Sequence, residues 1–166
     1  MNTGYINTEN ALKVDHETFE IFTKKYKPQF NDIVISRVGS YGNYSLIGQR
    51  KEVCLGQNTA IIHPLINAKY LYYALHSKNV TQFVENNVGG GSQKTISLAS
   101  IKEIPIHVPP LAKQDRIVAI LDKFDALVND ISAGLPAEIN ARRKQYEYYR
   151  EKLLTFKPLE NEYAKQ

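Results

Sequence analysis

The chain has 166 residues and a mass of 18.9 kDa, enough for one compact domain or one domain with an appended element. Apolar residues at 43% and charged residues at 23% are ordinary globular values and exclude wholesale disorder. The apolar runs, such as Thr59–Ile62, fall far short of the roughly 18 residues a bilayer-spanning helix requires. Met1-Asn2-Thr3-Gly4-Tyr5 has neither the basic start nor the apolar core of a secretory signal. A lone cysteine, Cys54, can form neither an internal disulfide nor a zinc site. The expectation is a soluble cytoplasmic protein with no membrane partner.

The formal net charge of +4 is uneven: residues 1–110 carry eleven Lys or Arg against eight Asp or Glu, and residues 111–166 carry ten against nine. Lys24, Lys25, Lys27, Arg37, Arg50, Lys51 and Lys94 make the first part mildly basic. That excess is compatible with nucleic-acid contact, since each neutralised phosphate releases counterions, and it is equally the charge of many ordinary domains.

In chain order, Asp32 to Val38 (DIVISRV) alternates apolar and polar residues and predicts a strand. Gly39-Ser40-Tyr41-Gly42-Asn43 predicts a tight turn into a second strand from Tyr44 to Ile47, the two forming a hairpin. Val53–Leu55 and Thr59–His63 predict short strands around Gly56-Gln57-Asn58, with Cys54 a small buried hydrophobe. From Ala68 to Lys78 the spacing of Leu71, Ala74 and Leu75 is helical, with Asn67 as the N-cap. Gly89-Gly90-Gly91-Ser92 predicts a flexible loop, and Ile104 to Val108 a last strand stopped by Pro109-Pro110.

After the prolines the pattern is helical. Ile117, Leu121, Phe124, Val128 and Ile131 recur at alternating four- and three-residue steps, and Leu135, Ile139, Arg142, Tyr146, Tyr149 and Leu153 repeat the rhythm. The two registers do not join smoothly. Gly134-Leu135-Pro136 sits at the junction, where Pro136 suits the first turn of a new helix and predicts a kink or break. The polar faces mix both signs, so the apolar stripe needs a partner. That partner is either the first 110 residues or another helix, from a second copy or another chain; heptad spacing over about six heptads favours a coiled coil. The expected fold class is α+β: a mixed small-sheet domain over 1–110, a long, kinked coiled-coil-type helical region over 111–157, and a tail over 158–166.

No catalytic constellation emerges. None of the seventeen acidic residues is followed two positions later by lysine, so the acid-x-Lys element of metal-dependent nucleases is missing. GGGSQKT at 89–95 looks superficially like a phosphate loop, but Gln93 stands where the glycine before the lysine belongs. His16, His63, His76 and His107 show no metal-ligand spacing. Binding chemistry fares better. Ser92, Gln93, Lys94 and Thr95 place donors, an amide and a cation on a glycine-rich loop whose backbone can approach a partner closely. Glutamine pairs bidentately with adenine, Lys and Arg with guanine, and Ser or Thr with bases or phosphates. The hairpin turn adds Arg37, Ser40, Tyr41 and Asn43, with Gln57 and Asn58 close in sequence.

From Pro109 to Phe156 the chain resembles the helical repeat region of type I restriction–modification specificity (S) subunits. The resemblance rests on PPL-x-x-Q-xx-I from Pro109, on Gly-Leu-Pro-Ala-Glu-Ile at 134–139, and on Arg-Lys-Gln-Tyr-Glu-Tyr-Tyr-Arg at 143–150. Upstream, DIVISRVGSYGN at 32–43, Gly56-Gln57-Asn58-Thr59-Ala60 and Ser92-Gln93-Lys94-Thr95-Ile96-Ser97 are similar to the family's target recognition domain. Two departures stand out. Lys113-Gln114 replaces a usual Glu-Gln pair, and the chain carries one recognition domain and one helical region where family members carry two of each.

The resemblance implies a DNA-reading subunit without catalysis or cofactor of its own, in which residues 1–110 are the recognition domain, entered partway. Double-stranded DNA, two adenine methyltransferase (M) subunits and restriction (R) subunits are the implied partners, and S-adenosylmethionine, Mg²⁺ and ATP belong to the other subunits. A chain with one domain would restore the family arrangement by dimerising through Ile117, Leu121, Phe124, Val128, Ile131, Leu135, Ile139, Tyr146, Tyr149 and Leu153. The competing expectation is a truncated remnant that keeps only the helical docking element. A plain coiled-coil scaffold would leave the glycine-rich loop and hairpin without purpose.

Overall fold

The computed structural model describes residues 4–9, 11–48, 52–130 and 136–156, with backbone alone at 128–130 and 136–139. The chain falls into two compact units, Met1–Val118 and Ala119–Gln166. The first is built on a three-stranded antiparallel sheet in which β1 (Ile33–Ser36) runs between β2 (Tyr44–Leu46) and β3 (Thr59–Ile62). Ile33 faces Leu46 on one side and Ile62 on the other. Ile33 and Ile35 are fully buried and Val34 nearly so, because a central strand is covered on both faces. On the edge strand β2 the simple alternation holds: Tyr44 and Leu46 are buried and Ser45 only half so.

Helices α2 (Ala68–Leu75) and α3 (Lys78–Asn87) bring Leu71, Leu75, Val80 and Val84 onto Ile33, Ile35, Tyr44 and Leu46, and Ile96 completes this core. As the sequence predicts, Asn67 caps α2: its side chain accepts from the Tyr70 N–H at 3.0 Å. Tyr70 is fully buried and its hydroxyl donates to the His107 carbonyl at 2.7 Å. The short strands β4 (Val88–Gly89) and β5 (Thr95–Ile96) form a second sheet, followed by α4 (Leu98–Lys102). A further helix, α1 (His16–Thr23), is capped by Asp15, which accepts from the Thr18 N–H at 2.7 Å; that backbone bond holds the exposed carboxyl below its ordinary pKa.

Two expected strands are absent. Val53–Leu55 is half-buried irregular chain, so Cys54 is not the buried hydrophobe expected. Ile104–Val108 runs without a ladder: Ile104 and Ile106 pack on the core, but Pro105 lacks the N–H that pairing needs.

The last helix of this unit begins with α5 (Leu111–Asp130), which crosses the boundary into the second. Its entry is fixed by Gln114, 3% exposed, whose amide donates to the Pro109 carbonyl at 2.7 Å and accepts from the Asn67 N–H at 3.1 Å. Asn67 in turn donates to the Asp115 carboxylate at 2.8 Å. The glutamine of the PPL-x-x-Q segment thus ties the start of α5 to the start of α2, and Ile117 and Val118 are buried beyond it. Gln114→Ala leaves one donor and one acceptor in this joint without a protein partner, so the expected loss is about 2 kcal/mol, read as a lower urea midpoint at unchanged slope.

In the second unit α6 (Pro136–Leu154) folds back along α5: Phe124 stacks on Tyr149 with ring centroids 5.4 Å apart and 19° between planes. Burial pushes the Tyr146 phenol up, with Asp125 and Asp122 adding and Arg150 opposing. The periodicity left open whether the stripe meets the first 110 residues or a foreign helix; here α5 and α6 of one chain meet each other. Leu121 and Leu154 are buried, while Leu153 is half-buried. Pro136 opens α6 as expected, whereas the rest of the junction, with Ile131 and Leu135, lies outside the described residues, as do the side chains of Val128 and Ile139.

Candidate nucleic-acid interface

Three turns distant in sequence come together where β1 ends. In the first, residues 36–43, the Ser36 N–H donates to the Asn43 carbonyl at 2.9 Å and the Gly42 N–H to the Ser36 carbonyl at 3.0 Å. Gly39 (φ +70°) and Gly42 (φ +73°) both take the left-handed conformation that the reversal needs. The Asn43 amide closes the turn on the Ser40 carbonyl at 3.1 Å. In the second, both the N–H and the hydroxyl of Thr59 donate to the Gly56 carbonyl, leaving Gln57 and Asn58 exposed at the tip. The third is the 90–94 loop of the β4–β5 hairpin, with Gly90 at φ +114°.

The chain from Arg37 to Gly39 fastens all three. The Arg37 N–H donates to the Asn58 carbonyl at 2.8 Å, and its carbonyl accepts from the Ile96 N–H at 3.0 Å. Val38 bridges Thr95, and the Gly39 N–H donates to the Lys94 carbonyl at 3.1 Å. Of the ten residues singled out from the sequence, Ser40, Asn43, Gln57, Asn58, Ser92, Gln93 and Lys94 are exposed, and Arg37, Tyr41 and Thr95 are half-buried. Tyr41 packs against the core cluster, so it serves partly as structure. The glycine loop is therefore the tip of a fastened hairpin. Sequence reasoning missed Ile96, whose full burial anchors that hairpin; its apolar run is too short to reveal a strand.

The three turn segments, 36–43, 56–59 and 89–97, hold Arg37 and Lys94 and no acidic residue. Elsewhere the basic excess is partly spent: Lys27 pairs with Glu52 at 2.7 Å, both largely exposed, and each shifts the other toward its charged form. Arg50 and Lys51 lie outside the described residues.

The opposite end of β1 is held by a different cluster. The buried Asp32 carboxylate accepts from the Tyr26 hydroxyl at 2.8 Å and the Gln29 N–H at 2.7 Å, and lies 2.8 Å from His63 Nδ1. The Tyr26 phenol is pushed up to about 12, first by burial, then by its bond to Asp32. His63 is thus a hydrogen-bonded structural histidine. Among the described residues no three of His, Cys, Asp and Glu are grouped so as to hold a metal ion, and no helix is long and apolar enough to cross a membrane.

Residues 2–141 match the family model of the type I restriction modification DNA specificity domain. A Haemophilus influenzae protein assigned as a type I restriction enzyme specificity subunit is 35% identical over 149 residues, covering 86% of this chain and 37% of its own length. A type I restriction enzyme specificity subunit of Escherichia coli is 44% identical over 96 residues, covering 58% of this chain and 24% of its own. The chain therefore spans little more than a third of these relatives at most. A crystal structure of a type I restriction–modification S subunit from M. genitalium aligns with a TM-score of 0.47 at 23% identity, over 64% of this chain and 29% of that one. With a match over most of its length, this chain belongs to the type I restriction modification DNA specificity domain family.

Proposed function

We propose that this chain reads part of a double-stranded DNA target through the three-turn surface, as a non-catalytic recognition component of a type I restriction–modification assembly. The observation that carries the reading is the fastening of three polar, acid-free turns at Arg37–Gly39 into one surface. Its chemistry suits DNA. The amides of Gln57 and Gln93 match the two-point pattern of adenine, Lys94 offers a cation to guanine or phosphate, and Ser40, Asn43, Asn58, Ser92 and Thr95 complete the set. A surface held by backbone bonds is also preorganised, which lowers the ordering cost of binding.

In this reading the helical unit docks methyltransferase subunits, which bring S-adenosylmethionine, and restriction subunits, which bring ATP and Mg²⁺. Leu127 and Tyr148, 48% and 60% exposed, are apolar surface available for those partners or for a second copy of the chain. A homodimer would present two recognition surfaces and select a split palindrome.

Binding to a random-sequence duplex library, with and without the cognate methyltransferase, tests this. The expected result is selection of a bipartite motif; association with the methyltransferase without any selection would leave only a docking role. Lys94→Ala should weaken binding and lower the log–log salt slope by about 1, as loss of one phosphate contact requires. An unchanged slope removes Lys94 from the phosphate contacts.

A further inference from the structure

Arg37 meets two of the three turns through its backbone and the hairpin through its side chain as well. Besides its two backbone bonds, its guanidinium Nε donates to the Ile96 carbonyl at 3.3 Å, across 59 residues of sequence. Ile96 returns a bond, its N–H donating to the Arg37 carbonyl at 3.0 Å. The two residues therefore close a reciprocal pair at the point where β1 leaves β3 and meets β5. The β4–β5 ladder has only two residue pairs, Val88 with Ile96 and Gly89 with Thr95. So short a hairpin does not hold its own geometry in water, and its position depends on cross-ties. Two of those ties are the backbone hydrogen bonds that make the Val38–Thr95 bridge; the Arg37 side chain supplies the third.

The same bond limits what Arg37 can do outward. The guanidinium edge that includes Nε is already used on Ile96, which leaves only the Nη1–Nη2 edge for an outward bidentate contact. The side chain is also half-buried, unlike Lys94 and Gln93 on the adjoining loop.

We propose that Arg37 is a positioning residue: its Nε bond to Ile96 sets the spacing between the 39–43 turn and the 90–94 loop, and the side chain does not itself contact phosphate or base. The proposal rests on the DNA-reading assignment, and its test separates the two. Arg37→Gln keeps an N–H donor at the same distance along the side chain while deleting the charge; Arg37→Met, of similar length, deletes both. Two readouts are taken on each variant: amide exchange at Gly39 and Ile96 without DNA, and the specific-to-random affinity ratio with its salt slope.

Arg37→Gln should match the wild type in all of these. Arg37→Met should speed exchange at both amides and lower the affinity ratio at least tenfold, spread over the whole recognised motif, at unchanged salt slope. If Arg37→Gln loses affinity with a slope lower by about 1, Arg37 is a phosphate contact and the proposal falls. If Arg37→Gln loses discrimination at a single base pair, Arg37 is a base contact and the proposal also falls. Unaltered exchange in Arg37→Met overturns the tie itself. Should Arg37→Met not fold, the Arg37→Gln result decides alone. A wild-type chain that selects no motif fails the DNA-reading assignment, and the exchange data then still decide the tie.

Discussion

Gly90→Ala should abolish most sequence discrimination, while Gly91→Ala, one residue along the same loop, should leave it unchanged. A Cβ at Gly90 would sit 2.5 Å from the Gln93 carbonyl oxygen, and the residue holds φ +114°. Both facts forbid a side chain, and the obstructing atom is backbone, which cannot swing aside. A Cβ at Gly91 meets nothing within 4 Å. Relieving the clash requires the 90–94 loop to change path, and the nearest bond to give way is the one from Gly39 to Lys94. Strain of this kind is worth about 1–3 kcal/mol, which corresponds to a roughly 10- to 100-fold fall in the specific-to-random affinity ratio. The same strain burdens the folded state, so the thermal midpoint should fall by up to about 10 °C, less as the loop relaxes onto another path. Undiminished discrimination in both variants would show that the loop takes no part in reading DNA.

The elements legible in the sequence are those whose signal is local. Asp32–Val38 alternates, Gly39 and Gly42 stand where a left-handed turn is needed, and Asn67 precedes a helical spacing by one residue; each formed as expected. α3 was not legible because KNVTQFVENN offers only Val80 and Val84 to the core, too few to show a period amid asparagine and glutamine. Ile104–Val108 misled in the other direction. Its alternation does bury Ile104 and Ile106, but alternation shows which side chains turn inward and says nothing of a strand partner.

The site was legible in part for the same reason. Turn residues and donor-rich side chains mark Ser40, Asn43, Gln57 and Gln93 as candidates from sequence alone. That they share one surface depends on Val38 bridging Thr95 and on Arg37 meeting both Asn58 and Ile96. Those pairings join residues some 20 to 60 positions apart, and no periodicity reports them. Likewise the heptads announce a stripe in need of a partner, but the stacking of Phe124 on Tyr149 within one chain is a matter of chain reversal, which spacing does not encode.

Asp32→Ala should be the most destabilising single change among those considered, at about 3–5 kcal/mol, with Asp32→Asn costing far less. One fully buried carboxylate receives the Tyr26 hydroxyl and the Gln29 N–H on Oδ2 and faces His63 on Oδ1, joining residues 26–29, the start of β1 and the end of β3. Alanine removes both carboxylate oxygens and leaves a void; the Tyr26 hydroxyl keeps His63 Nδ1 at 3.0 Å, but the Gln29 N–H loses its partner, and hydrogen bonds to a charged group are the costly ones to lose. Asparagine keeps an oxygen for Tyr26 and Gln29, and its amide can donate to His63 Nδ1 once the imidazole carries its proton on Nε2.

A melting point lowered on the order of 15 °C in the alanine variant, and by a few degrees in the asparagine one, is the expected reading. The Tyr26 phenol gives an independent check. Its folded pKa of about 12 exceeds the ordinary 10, so the folded state holds the proton more tightly; the stabilisation is complete below pH 10 and is lost as pH rises toward 12. Without Asp32 the phenol should titrate lower but still above 10, because burial by itself also raises it. Asp32 lies at the far end of a four-residue strand from Arg37, so the alanine variant, kept below its melting point, should retain its full affinity ratio for DNA. Loss of discrimination in a folded Asp32→Ala variant would mean that strand β1 transmits strain between its ends, and that the recognition turns are not fixed by their own bonds alone.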